Sequence, residues 1–146
     1  MNDSCLFCRK LEFEVLYEDD RCAVVLHDDW AVPGHAMIVW KAHVENVSDL
    51  SMKDAAHLSQ MHHRAEKALL AATGAGRAIL LKLGIAVSHL HMHIYPVSAS
   101  MDRAGVMAVI NAKTQVPRDE SLVLELRRAL TGVKVTGSQG GQGFGA

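Results

Sequence analysis

The chain has 146 residues, with 15 Lys plus Arg against 16 Asp plus Glu, 49% hydrophobic and 21% charged residues, and nine histidines. That length suits one domain able to bury about two-thirds of its unfolded surface, and the composition excludes a disordered or fibrous chain. A formal net charge of −1 excludes an extended electrostatic surface for nucleic acid or for an anionic membrane.

No apolar run approaches the roughly 20 residues of a membrane-spanning helix. Residues 1–8 lack the basic and apolar regions of a signal peptide. Three cysteines, two of them Cys5 and Cys8, do not make a disulfide framework, so a cytoplasmic location is expected.

In chain order, residues 14–17 read as a strand, residues 18–21 as a turn, and residues 22–26 as a second, well-buried strand completing a hairpin. Trp30 to Gly34 interrupts with Pro33-Gly34, a turn signal, and residues 35–40 resume extended character. Ser51 is the expected N-cap of a long helix reaching residue 72 or 73. Its stripe is Ala55, Leu58, Met61, Ala65, Leu69 and Ala72, at the three- and four-residue spacing of a helix lying on a core. Gly74 and Gly76 stop it. Strands follow at residues 78–83 and 87–95, and a short helix at 122–130, with Arg127 and Arg128 near its C-terminal end. Residues 1–130 are read as one domain and 131–146 as a flexible Gly-rich tail. Five strands joined by short turns around one long helix predict an α+β fold with a mostly antiparallel sheet.

The segment His89-Leu-His91-Met-His93-Ile-Tyr-Pro96 carries the chemistry. As a strand it places the three histidines on one face, about 6.6 Å apart, and Leu90, Met92 and Ile94 on the other. Imidazoles so arranged can attack phosphorus or acyl carbon, transfer protons near neutrality, or bind a metal. Cys5 and Cys8 have the spacing of zinc or redox chemistry. The surrounding sequence lacks the βαβ context of a redox motif, and reduced thiols without a metal are the remaining alternative. His57, His62 and His63 are expected on the surface of the long helix, without the i, i+4 histidine pairing of a metal site. Cys22 reads as an ordinary strand residue.

Residues 89–95 resemble the histidine triad (HIT) family of nucleotide hydrolases and transferases, whose motif alternates three histidines with apolar residues. Residues 17–22, 26–28, 33–35 and 41–43 resemble the family's first three strands, in order. The likeness covers about residues 5–97. It implies cleavage of nucleoside phosphoramidates or dinucleoside polyphosphates at the α-phosphorus through a covalent nucleotidyl-histidine. His91 is the implied nucleophile, with His93 and His35 in the same catalytic network. Asp28 is implied to contact the ribose, His27 borders that site, and Gly84 is implied to let backbone N–H groups approach phosphate. The resemblance further implies a structural zinc held by Cys5, Cys8, His43 and His89, a purine nucleotide as substrate, and a homodimer. Three readings compete: a nucleotidyl transferase using the same histidine, a non-catalytic nucleotide-binding module, and a triad that binds a catalytic metal. The chain departs from the family at Ile85, where a glutamine is usual, at Trp40, where proline is common, and in a shorter segment between Cys8 and Glu14.

Overall fold

The computed structural model describes residues 4–9 and 12–132. Strands β1 (Val15–Glu18) and β2 (Cys22–Leu26) form the expected hairpin, continued by β3 (Ala36–Trp40), β4 (Arg77–Leu81) and β5 (His91–Val97). All pairings are antiparallel, in the order β1-β2-β3-β5-β4, so the α+β expectation holds. Every residue of β2 and β3 is buried because both faces of the sheet are covered. Alternation divides them. Cys22, Val24, Leu26, Ala36, Ile38 and Trp40 join a core with the helices, whereas Ala23, Val25, Met37 and Val39 pack with Cys5 and Phe7 on the opposite face.

Helix α2 (Met52–Thr73) begins where Ser51 accepts the Asp54 backbone N–H at 3.1 Å and ends at Gly74, whose φ of 71° is a left-handed cap. Leu58, Met61, Ala65 and Leu69 are buried as the stripe requires. Ala68 joins them, and Ala55 and Ala72 are only half-buried at the stripe's ends. Helix α4 (Glu120–Thr131) covers the same face with Leu122, Val123, Leu126 and Leu130. Arg127 ties it to β1, donating to the Glu14 carboxylate at 2.5 Å and the Val15 carbonyl at 2.8 Å. Gly132 caps α4; Thr131, expected in the tail, is therefore helical, and 133–146 lie outside the described residues.

The largest differences from the sequence reading lie in strands β4 and β5 and in two further helices. Strand β4 starts and stops earlier than residues 78–83, pairing with β5 from Arg77 opposite Val97 to Leu81 opposite His93. Strand β5 begins at His91 and extends to Val97, rather than occupying residues 87–95. Helices α1 (Leu6–Arg9) and α3 (Arg103–Ile110) were not expected. Helix α3 contains Gly105, Val106 and Val109, which are poor helix formers. Its start is fixed instead by Asp102, whose side chain accepts the Gly105 N–H at 2.8 Å, and its Val109 is buried. Among the described residues no helix is long and apolar enough to cross a membrane.

Candidate active site and metal cluster

Of the three triad histidines only His91 and His93 lie on β5; His89 precedes it. The strand pairing stops because the Leu90 N–H donates to the Val44 carbonyl at 2.7 Å and the Leu90 carbonyl accepts from Trp40 at 3.0 Å. The shared-face reading still holds for the strand itself. Met92 and Ile94 sit in the helix-side core, while His91 and His93 stand opposite Val39 and Met37 of β3.

Backbone carbonyls fix the tautomers, since a carbonyl only accepts and the ring nitrogen facing it must carry the proton. His89 Nε2 donates to the Trp40 carbonyl at 2.5 Å, leaving Nδ1 with its lone pair. His91 is the reverse. Its Nδ1 donates to the His89 carbonyl at 2.6 Å, leaving Nε2 as the free, basic nitrogen. His35, 3% exposed, has Nδ1 3.3 Å from the Asp29 carbonyl, so its Nε2 accepts from His93 Nδ1 at 2.9 Å. His93 Nε2 then also keeps its lone pair.

Burial, followed by the neighbouring His27 and His93, pushes His35 down to about 3. Burial, followed by His91 and His27, pushes His93 down to about 4. Both rings are therefore neutral at pH 7, as their mutual hydrogen bond requires. They belong to a stack in which His27 lies 4.4 Å from His35 at an interplanar angle of 8°, and Tyr95 lies 4.2 Å from the same His35 ring and 5.7 Å from His93.

At the opposite end of the motif, His89 Nδ1 lies 3.4 Å from Cys5 Sγ, 3.6 Å from Cys8 Sγ and 3.3 Å from His43 Nδ1, and Cys8 Sγ lies 3.2 Å from His43 Nδ1. One lone pair cannot satisfy three neighbours by hydrogen bonding. Tetrahedral zinc, with bonds of about 2.3 Å to sulfur and about 2.0–2.1 Å to nitrogen, would separate S and N by about 3.5 Å and two nitrogens by about 3.3 Å. The four donors fit that figure, and all lie within 4.8 Å of one another. The cysteines are free thiols. Helix α1 brings them here, with the Cys5 carbonyl accepting from the Cys8 and Arg9 N–H groups at 3.2 Å. Between its cysteines, α1 places Phe7 against both His89 and His91, at ring separations of 5.6 and 4.9 Å.

The family described as HIT domain matches residues 9–99. The chain belongs to the HIT family. Protein hit of Bacillus subtilis is 27% identical over 129 residues, covering 80% of this chain and 87% of its own. Adenylylsulfatase HINT3 of Arabidopsis thaliana is 28% identical over 105 residues, 66% of this chain and 53% of its own, so the HIT chain spans about half of that relative. Among solved structures, a histidine triad nucleotide-binding protein of Sulfolobus tokodaii superimposes with a TM-score of 0.68 at 23% identity, covering 88% of this chain and 93% of its own. A Zn-bound histidine triad family protein of Mycobacterium smegmatis gives 0.68 at 21% identity, covering 89% and 95%. These two establish a shared HIT fold.

The other residues expected in the HIT site are more dispersed. Asp28 is exposed in the bend after β2, and it is the Asp29 carbonyl that meets His27 Nδ1 at 2.7 Å. Gly84 has a φ of 66° with nothing within 4 Å of where a Cβ would be, so its backbone is open to approach. Of the helix histidines, His63 is exposed as expected. His57 and His62 are half-buried, a correction: His57 Nε2 pairs with Asp19 at 2.7 Å and edges onto Trp40, while His62 pairs with Glu66 at i, i+4. Asp19, Cys22 and His57 also cluster, but burial, followed by Asp19, pushes the Cys22 thiol up to about 12. Cys22 thus stays protonated, a poor ligand, and the trio fastens α2 to the β1–β2 turn. Sequence reasoning missed Phe7, Tyr95 and Trp30 at the site. Period-two alternation from His91 and His93 to Tyr95 could have found the second; Phe7 and Trp30 gave no signal.

Proposed function

We propose that the chain is a nucleotide hydrolase that cleaves a phosphorus–nitrogen or phosphoanhydride bond at the α-phosphorus through His91. The observation that carries this reading is the 2.6 Å hydrogen bond from His91 Nδ1 to the His89 carbonyl, which leaves Nε2 as a nucleophile needing no prior deprotonation. Nε2 attacks phosphorus, the bond to the leaving group breaks, and the leaving group takes a proton from solvent water as it departs. Water then attacks the nucleotidyl-imidazole, releasing the nucleoside monophosphate and restoring His91. A neutral His93, held through His35 and the Asp29 carbonyl, keeps its Nε2 lone pair and takes the proton of the water that attacks in the second step. Asp28 accepts from the ribose hydroxyls, with His27 beside it, and the Gly84 backbone approaches the phosphate.

Cys5, Cys8, His43 and His89 would hold zinc, which in a closed four-ligand site contributes folding free energy and leaves no position for activating water. Reduced thiols in this set favour a cytoplasmic setting. The homodimer is carried by resemblance, supported by edge strand β4 with Leu80 exposed at 40%, and sedimentation would test it.

The test compares wild type with His91→Ala on adenosine phosphoramidate, diadenosine polyphosphate and, prompted by the name of the Arabidopsis relative, adenylyl sulfate. Turnover of any one in wild type alone, with a label from the α-phosphate trapped on protein, is expected. Equal rates in both proteins would remove the nucleophile assignment. Transfer of the nucleotide to inorganic phosphate in place of water would mark a transferase.

A further inference from the structure

Helix α1 gives the metal cluster a second chemistry. Its turn sets Cys5 and Cys8 three positions apart, closed where the Cys5 carbonyl accepts the Cys8 N–H at 3.2 Å. Such a turn keeps its first and fourth Cα atoms within about 7 Å, and a disulfide spans about 4.4–6.8 Å between Cα atoms. The two sulfurs already lie within 4.8 Å of each other. Cys22 does not compete with them, being 0% exposed and part of the core on the other face of the sheet.

The pair is also reachable. Cys8 is half-buried, and a groove of about 460 Å³ beside α1 opens onto Cys5 and His43. Among the described residues its lining, which includes Leu6, Ala86 and Val87, carries no Asp, Glu, Lys or Arg. Such a groove admits a small uncharged oxidant and gives an anionic one no counter-charge. Disulfides of reducing compartments are usually transient and redox-sensing.

We propose that Cys5 and Cys8 are a modification site, joined by hydrogen peroxide into a reversible disulfide that lowers turnover at His91. Cys8 Sγ attacks one peroxide oxygen, the O–O bond breaks, and water leaves with the thiol proton, giving a sulfenic acid. Cys5 Sγ then attacks that sulfur, the S–O bond breaks, and a second water carries off the second thiol proton. Each sulfur gives up one electron and the peroxide takes two.

Once joined, Cys5 and Cys8 can no longer hold zinc as thiolates, and the buried His89 Nδ1 loses both sulfur partners. Two contacts carry the change to His91. The His89 carbonyl holds His91 Nδ1 at 2.6 Å, and Phe7, between the cysteines, packs on the His91 ring at 4.9 Å. A misplacement of about 1 Å at a reacting atom costs on the order of 10²-fold in rate. This last link rests on the reading of His91 as the nucleophile.

The zinc-loaded full chain would be titrated with hydrogen peroxide, unfolded, alkylated and digested with trypsin, while a chromophoric chelator reports released zinc. Residues 1–9 contain both cysteines, so the disulfide is read as a peptide two hydrogens lighter that takes no alkyl group. One disulfide per zinc released is expected, with turnover lowered about tenfold or more and Cys22 still alkylated. Dithiothreitol with added zinc should restore turnover, and Cys22→Ala protein should respond like wild type. Two free thiols in that peptide, at a peroxide dose that joins them in the urea-unfolded chain, would overturn the proposal. So would a sulfinic acid at Cys8 without a disulfide, or a disulfide that leaves turnover unchanged. A disulfide that shifts the backbone signals of residues 89–91, in a protein that turns over no substrate, supports the modification and overturns the hydrolase reading instead.

Discussion

The two ends of the histidine motif are built from the same side chain and put it to opposite uses. His89 gives Nε2–H to a carbonyl and turns Nδ1 toward two cysteines and His43; His91 gives Nδ1–H to a carbonyl and turns Nε2 outward. Burial separates them too, His89 being 1% exposed and His91 half-buried. The comparison teaches that the backbone carbonyl each ring meets, more than the residue type, decides which imidazole holds and which can react.

The largest expected effect comes at the reactive end. His91→Ala should lower kcat by at least about 10³-fold, since it removes the attacking atom, while moving the melting temperature little; steady-state kinetics and calorimetry on the same preparation check both. At the holding end the pattern should invert. A Cys5→Ser, Cys8→Ser variant should lose bound zinc by elemental analysis and several kcal/mol of stability, on the order of 10–15 °C in Tm. Retained zinc in that variant would break the ligand assignment.

A smaller effect sharpens the boundary between the ends. His35 is held at about 3 in the folded protein against 6.5 when free, so the unfolded chain binds its proton first. The neutral ring's contribution is complete above about pH 6.5 and is lost as pH falls toward 3, amounting to about 2 kcal/mol at pH 5. Denaturation at pH 7 and pH 5 should show a steeper loss in wild type than in His35→Gln; parallel slopes would mean that the ring is not buried neutral. Smallest is Asp28→Asn, expected to reduce the preference for a ribonucleotide over its 2′-deoxy counterpart by about tenfold or less, corresponding to about 1 kcal/mol for a ribose hydrogen bond. An unchanged ratio would remove Asp28 from the ribose site.

Much of this was legible in the residue pattern because it follows from local periodicity. The β1–β2 hairpin, the Ser51 cap, the α2 stripe and the split of Met92 and Ile94 from His91 and His93 all depend on neighbours two to four positions away. What escaped depends on distant partners. The start of β5 is set by Leu90 meeting Val44, the bounds of β4 by its register against β5, and the burial of His57 by Asp19. Helix α3 escaped for a related reason: its local propensity is weak, and its cap and buried Val109 hold it. Cys5, Cys8, His43 and His89 could be paired in advance only through the family likeness, because no spacing rule connects residues 35 to 84 positions apart.

His89 serves both ends at once, its ring facing the cysteines and its carbonyl holding His91. A small twist of the chain at residue 89 therefore becomes an aiming error at His91 Nε2. The amino-terminal cysteine turn is in this sense a gunsight mount: it never touches the target, and its rigidity sets how narrowly the nucleophile can be pointed.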